Sequence, residues 1–394
     1  MRRADLLVLG GGPAGAALAS MAAGRGARVI VVERDRFPRD KVCGEFLSAE
    51  GVSVLSRLGA LPGLLSAGVT FMDSCRITDR RGRAIDAPLP TLPGAGREAM
   101  GISRFLLDES LLGLARRKGA HVRERCEAVS PLTENGRIVG ARLRRVGARA
   151  AEEELRATIV AAADGRRSML VRALHPRLGD PGRSHAGSWF GLKVHMEGDP
   201  RSLTRRIELH LFEGGYVGLG TIEGGRINLC CMVTVGALRR CGGSPDRVLR
   251  ELIMKNPAVE AALRGARPSA PWKSVGPLRF GIRKPVAAGA LFLGDAAGTI
   301  DPFSGEGMTH ALLAAEMALP LALDAVEAGG LTAALALEYE RRFRAAFASV
   351  THRVRHLGRV FGHPRLAGTT VALLSSVGRP FLPGLVASTR TGRA

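Results

Sequence analysis

The chain has 394 residues, of which 46% are hydrophobic and 24% charged, which excludes a disordered chain and predicts a globular protein of about two domains. Its formal net charge is +21, but only six of the 57 basic residues are lysines, and the arginines are spread along the whole chain. With 4% aromatic residues and no zinc-finger or RNA-binding pattern, we expect no nucleic-acid partner. A basic surface still suits an anionic cofactor, an acidic carrier protein or an anionic membrane.

A strand–helix–strand unit opens the chain. The apolar run 6–9 predicts a buried parallel strand, an Ala-rich helix follows from about Ala14 to Arg25, and residues 29–32 predict a second strand that ends at Glu33. The turn between strand and helix has the pattern G-x-G-x-x-G and contains Gly10, Gly12, Pro13, Ala14 and Gly15. Such a turn lets a pyrophosphate approach the backbone at a helix N-terminus, and an acid after the second strand accepts hydrogen bonds from a ribose. The sequence therefore predicts a dinucleotide site that includes Glu33.

The cysteine and histidine patterns predict no metal site. None of the six cysteines forms a C-x-x-C pair, and no Cys/His cluster has zinc spacing. His352 and His356 are four residues apart but lack the Glu of a zinc-protease motif, so we place them on a solvated helix face. We expect a reduced, cytoplasmic protein without a cleaved signal peptide. Because no run of 18 apolar residues occurs, we also expect no membrane-spanning helix.

Four later segments carry further motifs. Residues 34–45 contain the pattern P-x-x-K-x-C-G-E, which ends in Cys43, Gly44 and Glu45. Ser103-Arg104 is followed by Leu107-Asp108, and Asp164-Gly165 is followed by Arg172. In the last segment, Gly294-Asp295 follows an apolar strand and the turn from Pro302 to Gly307 opens a helix that begins near Met308.

In this order the segments resemble the motifs of the geranylgeranyl reductase-like family of FAD-dependent oxidoreductases, part of the p-hydroxybenzoate hydroxylase-like flavoprotein superfamily. The resemblance covers residues 5 to about 320. It implies an α/β fold with a discontinuous Rossmann-like FAD-binding domain (1–73, 100–183 and 283–330). It further implies an interleaved, mostly antiparallel β-sheet substrate domain (74–99 and 184–282) and a helical C-terminal region (331–394). Alternating apolar residues between Gly-rich turns at 207–233 favour the antiparallel sheet.

The resemblance also assigns site residues. Beyond the glycine-rich turn and Glu33, it implies FAD contacts at Arg34, Cys43, Gly44, Arg104, Asp164, Gly165, Gly294, Asp295, Pro302, Gly305, Gly307 and Met308. Asp295, at the end of a buried strand, can accept a hydrogen bond from a ribityl hydroxyl. The helix near Met308 can stabilise negative charge on a reduced flavin.

Cys43 and Glu45 are the catalytic candidates, and Cys43 is the first of them because the matching cysteine of the family is a proposed proton donor. The alternative is a small buried side chain without a chemical role. Glu45 would orient Cys43 or contact the cofactor. Substrate contacts are expected at Tyr216, Asn228 and Cys230, although each of the three is equally compatible with plain packing in the sheet. Since successive strand residues face opposite sides, Cys230 and Cys231 cannot both line the cavity.

The activity implied by the resemblance is delivery of hydride from reduced FAD to a carbon–carbon double bond of an apolar isoprenoid- or polyketide-like substrate, with a proton from Cys43 or water. One alternative is an FAD-dependent monooxygenase, a hydroxylase or epoxidase, that captures oxygen as a C4a-hydroperoxide. A non-catalytic flavin-binding protein is the other.

Absent patterns narrow these alternatives. The aromatic Y-x-W-x-F-P pattern of archetypal geranylgeranyl reductases is missing, which leaves the isoprenoid substrate open. Trp189 and Trp272 are isolated, which argues against a halogenase. No second dinucleotide motif occurs, so NADPH or NADH is expected to bind transiently, unless a partner protein supplies the electrons.

The C-terminal region is predicted to be helical. Phe343, Phe347, Val350, Val354, Leu357 and Phe361 recur every three or four residues with arginines between them. This pattern favours a helix packed on the protein's own core. The alternative is a basic amphipathic surface that contacts anionic lipid, which would make the protein peripheral to a membrane. Residues 366–385 are apolar but interrupted by prolines, and predict a hydrophobic lid or tail.

Overall fold

The computed structural model describes residues 3–92, 98–147, 152–175, 188–362, 364–376 and 379–391. The predicted domain boundary at 183/184 lies outside the described residues.

Short strands alternate with helices in the first part of the chain. In order, these are β1 (Arg3–Leu9), α1 (Pro13–Ala23), β2 (Val29–Val32), β3 (Phe46–Leu47), α2 (Ala49–Arg57), α3 (Leu61–Ser66), β4 (Thr70–Met72), β5 (Ser74–Thr78), β6 (Ala84–Pro88), β7 (Ala99–Gly101), α4 (Arg104–Arg117), β8 (His121–Arg123), β9 (Cys126–Glu134), β10 (Arg137–Arg145), β11 (Glu153–Ala162) and α5 (Met169–Leu174).

Strands dominate the middle of the chain and helices its end. The strand-rich part contains β12 (Trp189–Glu197), β13 (Arg206–Phe212), β14 (Gly215–Thr221), β15 (Ile227–Thr234), α6 (Val235–Arg240), α7 (Pro245–Val248), α8 (Pro257–Ala262), β16 (Arg267–Pro268), β17 (Lys273–Leu278), β18 (Gly281–Ile282), β19 (Val286–Ala287), β20 (Ala290–Phe292) and β21 (Gly298–Thr299). The helices that follow are α9 (Gly307–Glu327), α10 (Ala333–Gly362), α11 (Pro364–Ser376) and α12 (Leu382–Ser388).

The first large sheet is built around four parallel pairings. Its main order is β19-β20-β11-β1-β2-β8, with β10 and β9 added antiparallel beside β11. The run 6–9 of β1 and the whole of β2 are buried, as expected for the central strands of a parallel sheet that is covered on both faces. The carboxyl ends of β1, β2, β11 and β20 therefore open at one edge, where open α/β sheets bind ligands.

The second large sheet has the order β16-β12-β15-β14-β13-β5-β6, with β17 also paired to β12. All of its pairings are antiparallel except that of β13 with β5. Side-chain alternation gives it two distinct faces. On β15, Ile227, Leu229, Cys231 and Val233 pack into a core that includes residues of α6–α8, and Asn228, Cys230 and Met232 point the other way. With the first sheet and the helical end of the chain, this confirms the predicted α/β class.

Helix α10 is a packed helix. Of the predicted stripe, Phe343, Phe347, Val350, Val354 and Phe361 are buried, and Leu357 is half-buried. Arginines on its exposed side form ion pairs within the same helix, including Arg342 with Glu338 and Arg344 with Glu340. The alternation of apolar and basic residues thus separates an inner face from a solvated one.

Helix α9 is strongly apolar, although the sequence contains no unbroken run of 18 apolar residues. Its 21 residues reach a mean hydropathy of 1.3 over an 18-residue window, so by length and composition it could cross a membrane. Thr309, His310 and Glu316 interrupt the apolar residues of this helix without lowering its mean hydropathy below that of a spanning helix. In the fold, 56% of that window is buried, and the helix packs against α1, α2 and α10. Its apolar character is therefore accounted for as that of a core helix.

His310 of α9 gives a pH dependence that can be measured. Its ring lies 4.5 Å from that of Phe347, its Nε2 is buried without a partner among the described residues, and burial lowers its pKa to about 3. The unfolded chain binds a proton below about pH 6.5 and the folded chain does not, so stability falls as pH decreases from about 6.5 towards 3.

We expect His310→Met to remove this loss, which amounts to at most about 1.4 kcal/mol for each pH unit. Urea unfolding of the flavin-loaded protein at several pH values measures it. His121→Met, at an exposed position, serves as the control. Equal acid sensitivity of the His310 variant and the unchanged protein would contradict the assignment.

Candidate active site

Two adjoining cavities lie at the carboxyl edge of the first sheet. A cleft of about 330 Å³ is lined by Leu9, Val32, Ala163 and Leu293, at or just after the ends of β1, β2, β11 and β20. A second cavity of about 470 Å³ lies between this cleft and the second sheet. The two share walls made by Arg34, Asp40, Lys41, Asp295, Gly307 and Met308. A ligand in the cleft can therefore extend to the boundary of the second cavity.

Two glycines of the first turn are required by close packing. Gly10 has φ +101°, and a Cβ there would lie 2.5 Å from the carbonyl oxygen of Ala163. A Cβ at Gly15 would lie 1.9 Å from the carbonyl oxygen of Gly10. These contacts bring α1 against β1 and β11, so that the first free N–H groups of α1 open on the cleft.

Gly12 differs from these two glycines. Its φ is −70°, which any residue adopts, and among the described residues a Cβ there would meet only the guanidinium nitrogens of Arg39 and Arg104, at 3.7 and 3.9 Å. The protein itself therefore leaves room at Gly12. The open space beside a helix N-terminus and two cations fits the pyrophosphate of FAD.

Glu33 stands where the predicted ribose contact requires it. Its two carboxylate oxygens accept hydrogen bonds from the backbone N–H groups of Gly11 (2.7 Å) and Asp35 (2.8 Å). The carboxylate is thereby fixed at the end of β2 on the wall of the cleft. Each oxygen keeps a lone pair for a ribose hydroxyl.

The other wall of the cleft offers free acceptors. Asp164 accepts a hydrogen bond from the N–H of Met169 through Oδ2 (2.7 Å), while its Oδ1 is buried without a partner among the described residues. Burial raises the pKa of this carboxyl. Asp295 lies in the turn after β20, on the wall common to both cavities. Unsatisfied acceptors facing a cleft fit hydroxyl donors such as those of a ribityl chain.

Helix α9 begins at the boundary of the two cavities. Apart from its chain neighbours and the backbone of its own helix, no atom of the described residues would lie within 4 Å of a Cβ at Gly307, so the first turn of the helix is open towards a ligand. The residue before it, Glu306, is buried in an ion pair with Arg390, whose Nη1 lies 2.5 Å from its Oε1. The N-terminus of α9 can therefore face a flavin ring with its partial positive charge.

Arg104 and Cys43 meet beside these cavities. The guanidinium of Arg104 donates to both oxygens of Asp108 (2.8 and 2.6 Å) and also hydrogen-bonds the Cys43 side chain. Burial opposes the charge of Arg104, but Asp108 outweighs it and keeps the pKa raised. Cys43 is half-buried on the wall of the second cavity, and its Sγ accepts a hydrogen bond from the N–H of Glu45 (3.4 Å). The thiol thus faces that cavity and is held by the N–H of Glu45 and the guanidinium of Arg104.

Glu45 belongs to a buried charged cluster that the sequence did not predict. Its Oε1 accepts hydrogen bonds from Lys193 Nζ (2.6 Å) and the N–H of Arg104 (2.7 Å), and its Oε2 lies 2.7 Å from His195 Nε2. Lys193 Nζ also pairs with Asp40. Asp40, Glu45 and His195 are close enough to share a metal ion, but the Lys193 ammonium, bonded to both carboxylates, already supplies the cation. The sequence signal for this cluster lies in β12. A Lys and a His stand there at alternate positions, on the face opposite the apolar Leu192 and Val194.

The predicted substrate residues separate into two groups. Tyr216 and Cys230 line the second cavity, and burial raises the pKa of each well above its usual value. The Tyr216 hydroxyl donates to Asp301 (3.2 Å). Asn228 is 1% exposed and lines neither cavity; its Nδ2 donates to the carbonyl oxygen of Cys43 (3.1 Å). Asn228 therefore holds the Cys43 segment instead of reaching a ligand.

The structure brings most of the predicted cofactor residues to these walls. The cleft is lined by Gly10, Gly12, Pro13, Ala14, Glu33, Arg104, Asp164, Gly165 and Gly294. Both cavities are lined by Arg34, Asp295, Gly307 and Met308, and the second cavity alone by Cys43, Gly44, Pro302 and Gly305. Gly15 lines neither, because it packs against the backbone of the turn.

Gly12→Asp tests the fit of FAD. The backbone at Gly12 suits Asp, and Asp is a good N-cap for α1, so we expect a folded variant. Its carboxylate would occupy the space of the pyrophosphate, so we expect loss of bound flavin, measured by absorbance after gel filtration. Gly63→Asp, at an exposed helical position with free space around it, is the matched control. Normal flavin content in the Gly12 variant would refute this placement.

Comparisons with known proteins agree with this geometry. Residues 3–354 match the family described as FAD binding domain. The chain is 30% identical over 381 residues to a menaquinone reductase of Mycobacterium tuberculosis, covering 93% of this chain and 86% of the relative. It is 28% identical over 364 residues to a digeranylgeranylglycerophospholipid reductase of Methanosarcina acetivorans, covering 86% and 80%.

A solved structure of a flavin-dependent brominase matches with a TM-score of 0.80 over 98% of this chain and 94% of that chain, at 16% identity, which is a likeness of fold alone. The glycine-rich turn, the acceptors around the cleft and these relatives lead to one assignment. The chain belongs to the FAD-binding domain family and is an FAD-dependent oxidoreductase.

Proposed function

We propose that this protein is an FAD-dependent reductase that saturates a carbon–carbon double bond in an isoprenoid chain of an apolar substrate. The observation that carries the proposal is the position of Cys43, whose thiol lines the second cavity where that cavity meets the FAD cleft. The rest of that wall is largely apolar and includes Leu209, Met232, Val275, Leu278, Phe280 and Ile300. A polyunsaturated hydrocarbon chain suits such a wall, and a thiol can donate the proton that an alkene reduction needs.

The names of the relatives support this substrate class. Menaquinone and digeranylgeranylglycerophospholipid, the compounds in those names, both carry isoprenoid chains. The two reductases match over 93% and 86% of this chain. An isoprenoid lipid is therefore the substrate class we propose here.

The geometry indicates what FAD and the side chains each contribute to the reaction. FAD, when reduced, supplies the hydride at N5. The chain binds the alkene on the apolar wall, excludes water from it, and holds a proton at Cys43 Sγ for the second carbon. One hydride and one proton add to the double bond and leave a saturated bond. The N-terminus of α9 offers positive potential to the charge that accumulates on the flavin. We further propose that NADPH or NADH restores the two electrons by transient binding.

Product analysis tests the reductase directly. Under anaerobic conditions with NADPH or dithionite, we expect a geranylgeranyl glycerolipid and menaquinone to gain two hydrogen atoms for each double bond reduced. The gain must persist after exposure to air, because a quinol formed by ring reduction would reoxidise. Incorporation of an oxygen atom in aerobic reactions would instead establish the monooxygenase. Absence of both products with flavin bound would sink the proposal.

Cys43→Ala separates binding from chemistry. Because the thiol lies at the second cavity and not in the FAD cleft, we expect normal flavin content. Turnover should fall about 100-fold, the usual effect of losing a positioned acid. Cys75→Ala, another half-buried cysteine that lines neither cavity, is the matched control. A Cys43 variant with unchanged turnover would remove the thiol from the reaction.

A further inference from the structure

The segment from Asp40 to Glu45 is held in an uncommon conformation. Glu45 has φ +54°, in the left-handed region that a residue with a Cβ rarely adopts. Its side chain is fully buried, and Glu45 is one of four described non-glycine residues with positive φ. Such a backbone persists only where the surroundings determine it. The residue two positions earlier is Cys43, so whatever fixes Glu45 also fixes the thiol.

Strand β12 supplies the groups that fix this segment. Lys193 and His195 are alternate residues and therefore point to the same face of the second sheet. The Lys193 ammonium binds the carboxylates of Asp40 and Glu45 and lies 3.3 Å from the carbonyl oxygen of Lys41, so it joins both ends of the segment. His195 holds the second oxygen of Glu45.

The neighbouring strand holds the middle of the same segment. In the register of β12 and β15, Lys193 lies opposite Cys230 and His195 opposite Asn228. Asn228 donates its amide to the carbonyl oxygen of Cys43. The face of the second sheet thus contacts the segment at its start, at Cys43 and at its end. The groups that face Glu45 or share its surroundings are Asp40, Cys43, Arg104, Lys193, His195 and Cys230.

We propose that Lys193 is the positioning residue of the active site: its ammonium ties Asp40 to Glu45 and so holds the Cys43 thiol on the wall of the substrate cavity. Its side chain is fully buried, and it reaches the thiol only through this segment. Burial opposes its charge, but the two carboxylates outweigh this effect and raise its pKa. Measurements of turnover rest on the proposed reductase function, and measurements of Cys43 alkylation do not.

Charge balance gives the test its direction. Lys193→Met keeps the length of the side chain but leaves the buried carboxylates without their cation, which is strongly unfavourable. Uptake of a proton at low pH restores the balance and release of that proton at higher pH removes it. Turnover of this variant should therefore fall more steeply as pH rises than that of the unchanged protein. The double variant Lys193→Met with Glu45→Gln loses one charge of each sign and should recover a pH profile like that of the unchanged protein.

Alkylation of Cys43 by iodoacetamide reports the position of the thiol without any substrate. Peptide mass spectrometry follows Cys43 separately from the other cysteines. We expect Lys193→Met to speed this alkylation about tenfold at neutral pH, because release of the segment exposes a half-buried thiol. The double variant should return the rate to within about twofold of the unchanged protein. Lys255→Met, at an exposed lysine, is the control.

The outcomes separate the two proposals. Unchanged Cys43 alkylation and an unchanged pH profile in a flavin-loaded Lys193→Met protein would overturn the positioning role. If Lys193→Met does not fold, the rate of Cys43 alkylation is compared between the charge-balanced double variant and Glu45→Gln alone. Positioning by the charged pair requires the double variant to protect Cys43 better than Glu45→Gln alone, and equal or poorer protection would refute it. Changed alkylation together with no reduction of any isoprenoid would uphold the positioning role and refute the reductase.

Discussion

The carboxylate of Glu45 is the interaction on which the arrangement of both cavities depends. Its side chain accepts hydrogen bonds from the start of α4 and from β12, and its carbonyl oxygen accepts the N–H of Ile102 (2.9 Å). The first sheet and its helices supply one set of donors, and the second sheet supplies the other. Because a buried charge is stable only when its partners are in place, the two halves of the protein are fixed to each other at this group. Cys43 and Arg104 take their positions from it.

The affinity of the cleft for an anion comes from local geometry and not from the net charge. Arg39 and Arg104 share one fully buried carboxylate, that of Asp108, and both face the open space at Gly12. Arg39 also pairs with Asp35 (Nε to Oδ2, 3.5 Å), and both guanidinium groups lie beside the N-terminus of α1. Many of the other arginines form exposed ion pairs, such as Arg28 with Asp5, which contribute little. The excess of +21 alone would not have located this site.

The sequence was sufficient to predict those parts of the site that are carried by short motifs along the chain. The turn from Gly10 to Gly15 and Glu33 belong to one strand–helix–strand unit, although Gly10 also packs against Ala163, and the motifs at Asp164 and Asp295 follow strands of the same sheet. Lys193 and His195 were not predicted, because their partner Glu45 is about 150 residues away and only the packing of the second sheet on the Cys43 segment brings them together. For the same reason Asn228 was interpreted as a substrate contact. Its position on the correct face of β15 was predictable, but its bond to Cys43 was not.

The end of the chain is also part of the electrostatics of the flavin site. An ionised Glu306 directly before α9 would cancel the positive potential of that helix N-terminus. Burial raises the pKa of Glu306, and Arg390 pairs with it, donates to the carbonyl oxygen of Ser304 (3.1 Å) and lies 5.2 Å from the ring centre of Phe46. Arg390 lies beyond residue 354, where the match to the FAD-binding family ends. The segment that follows α12 therefore neutralises a charge at the flavin boundary, and the site is electrostatically complete only when this segment is in place.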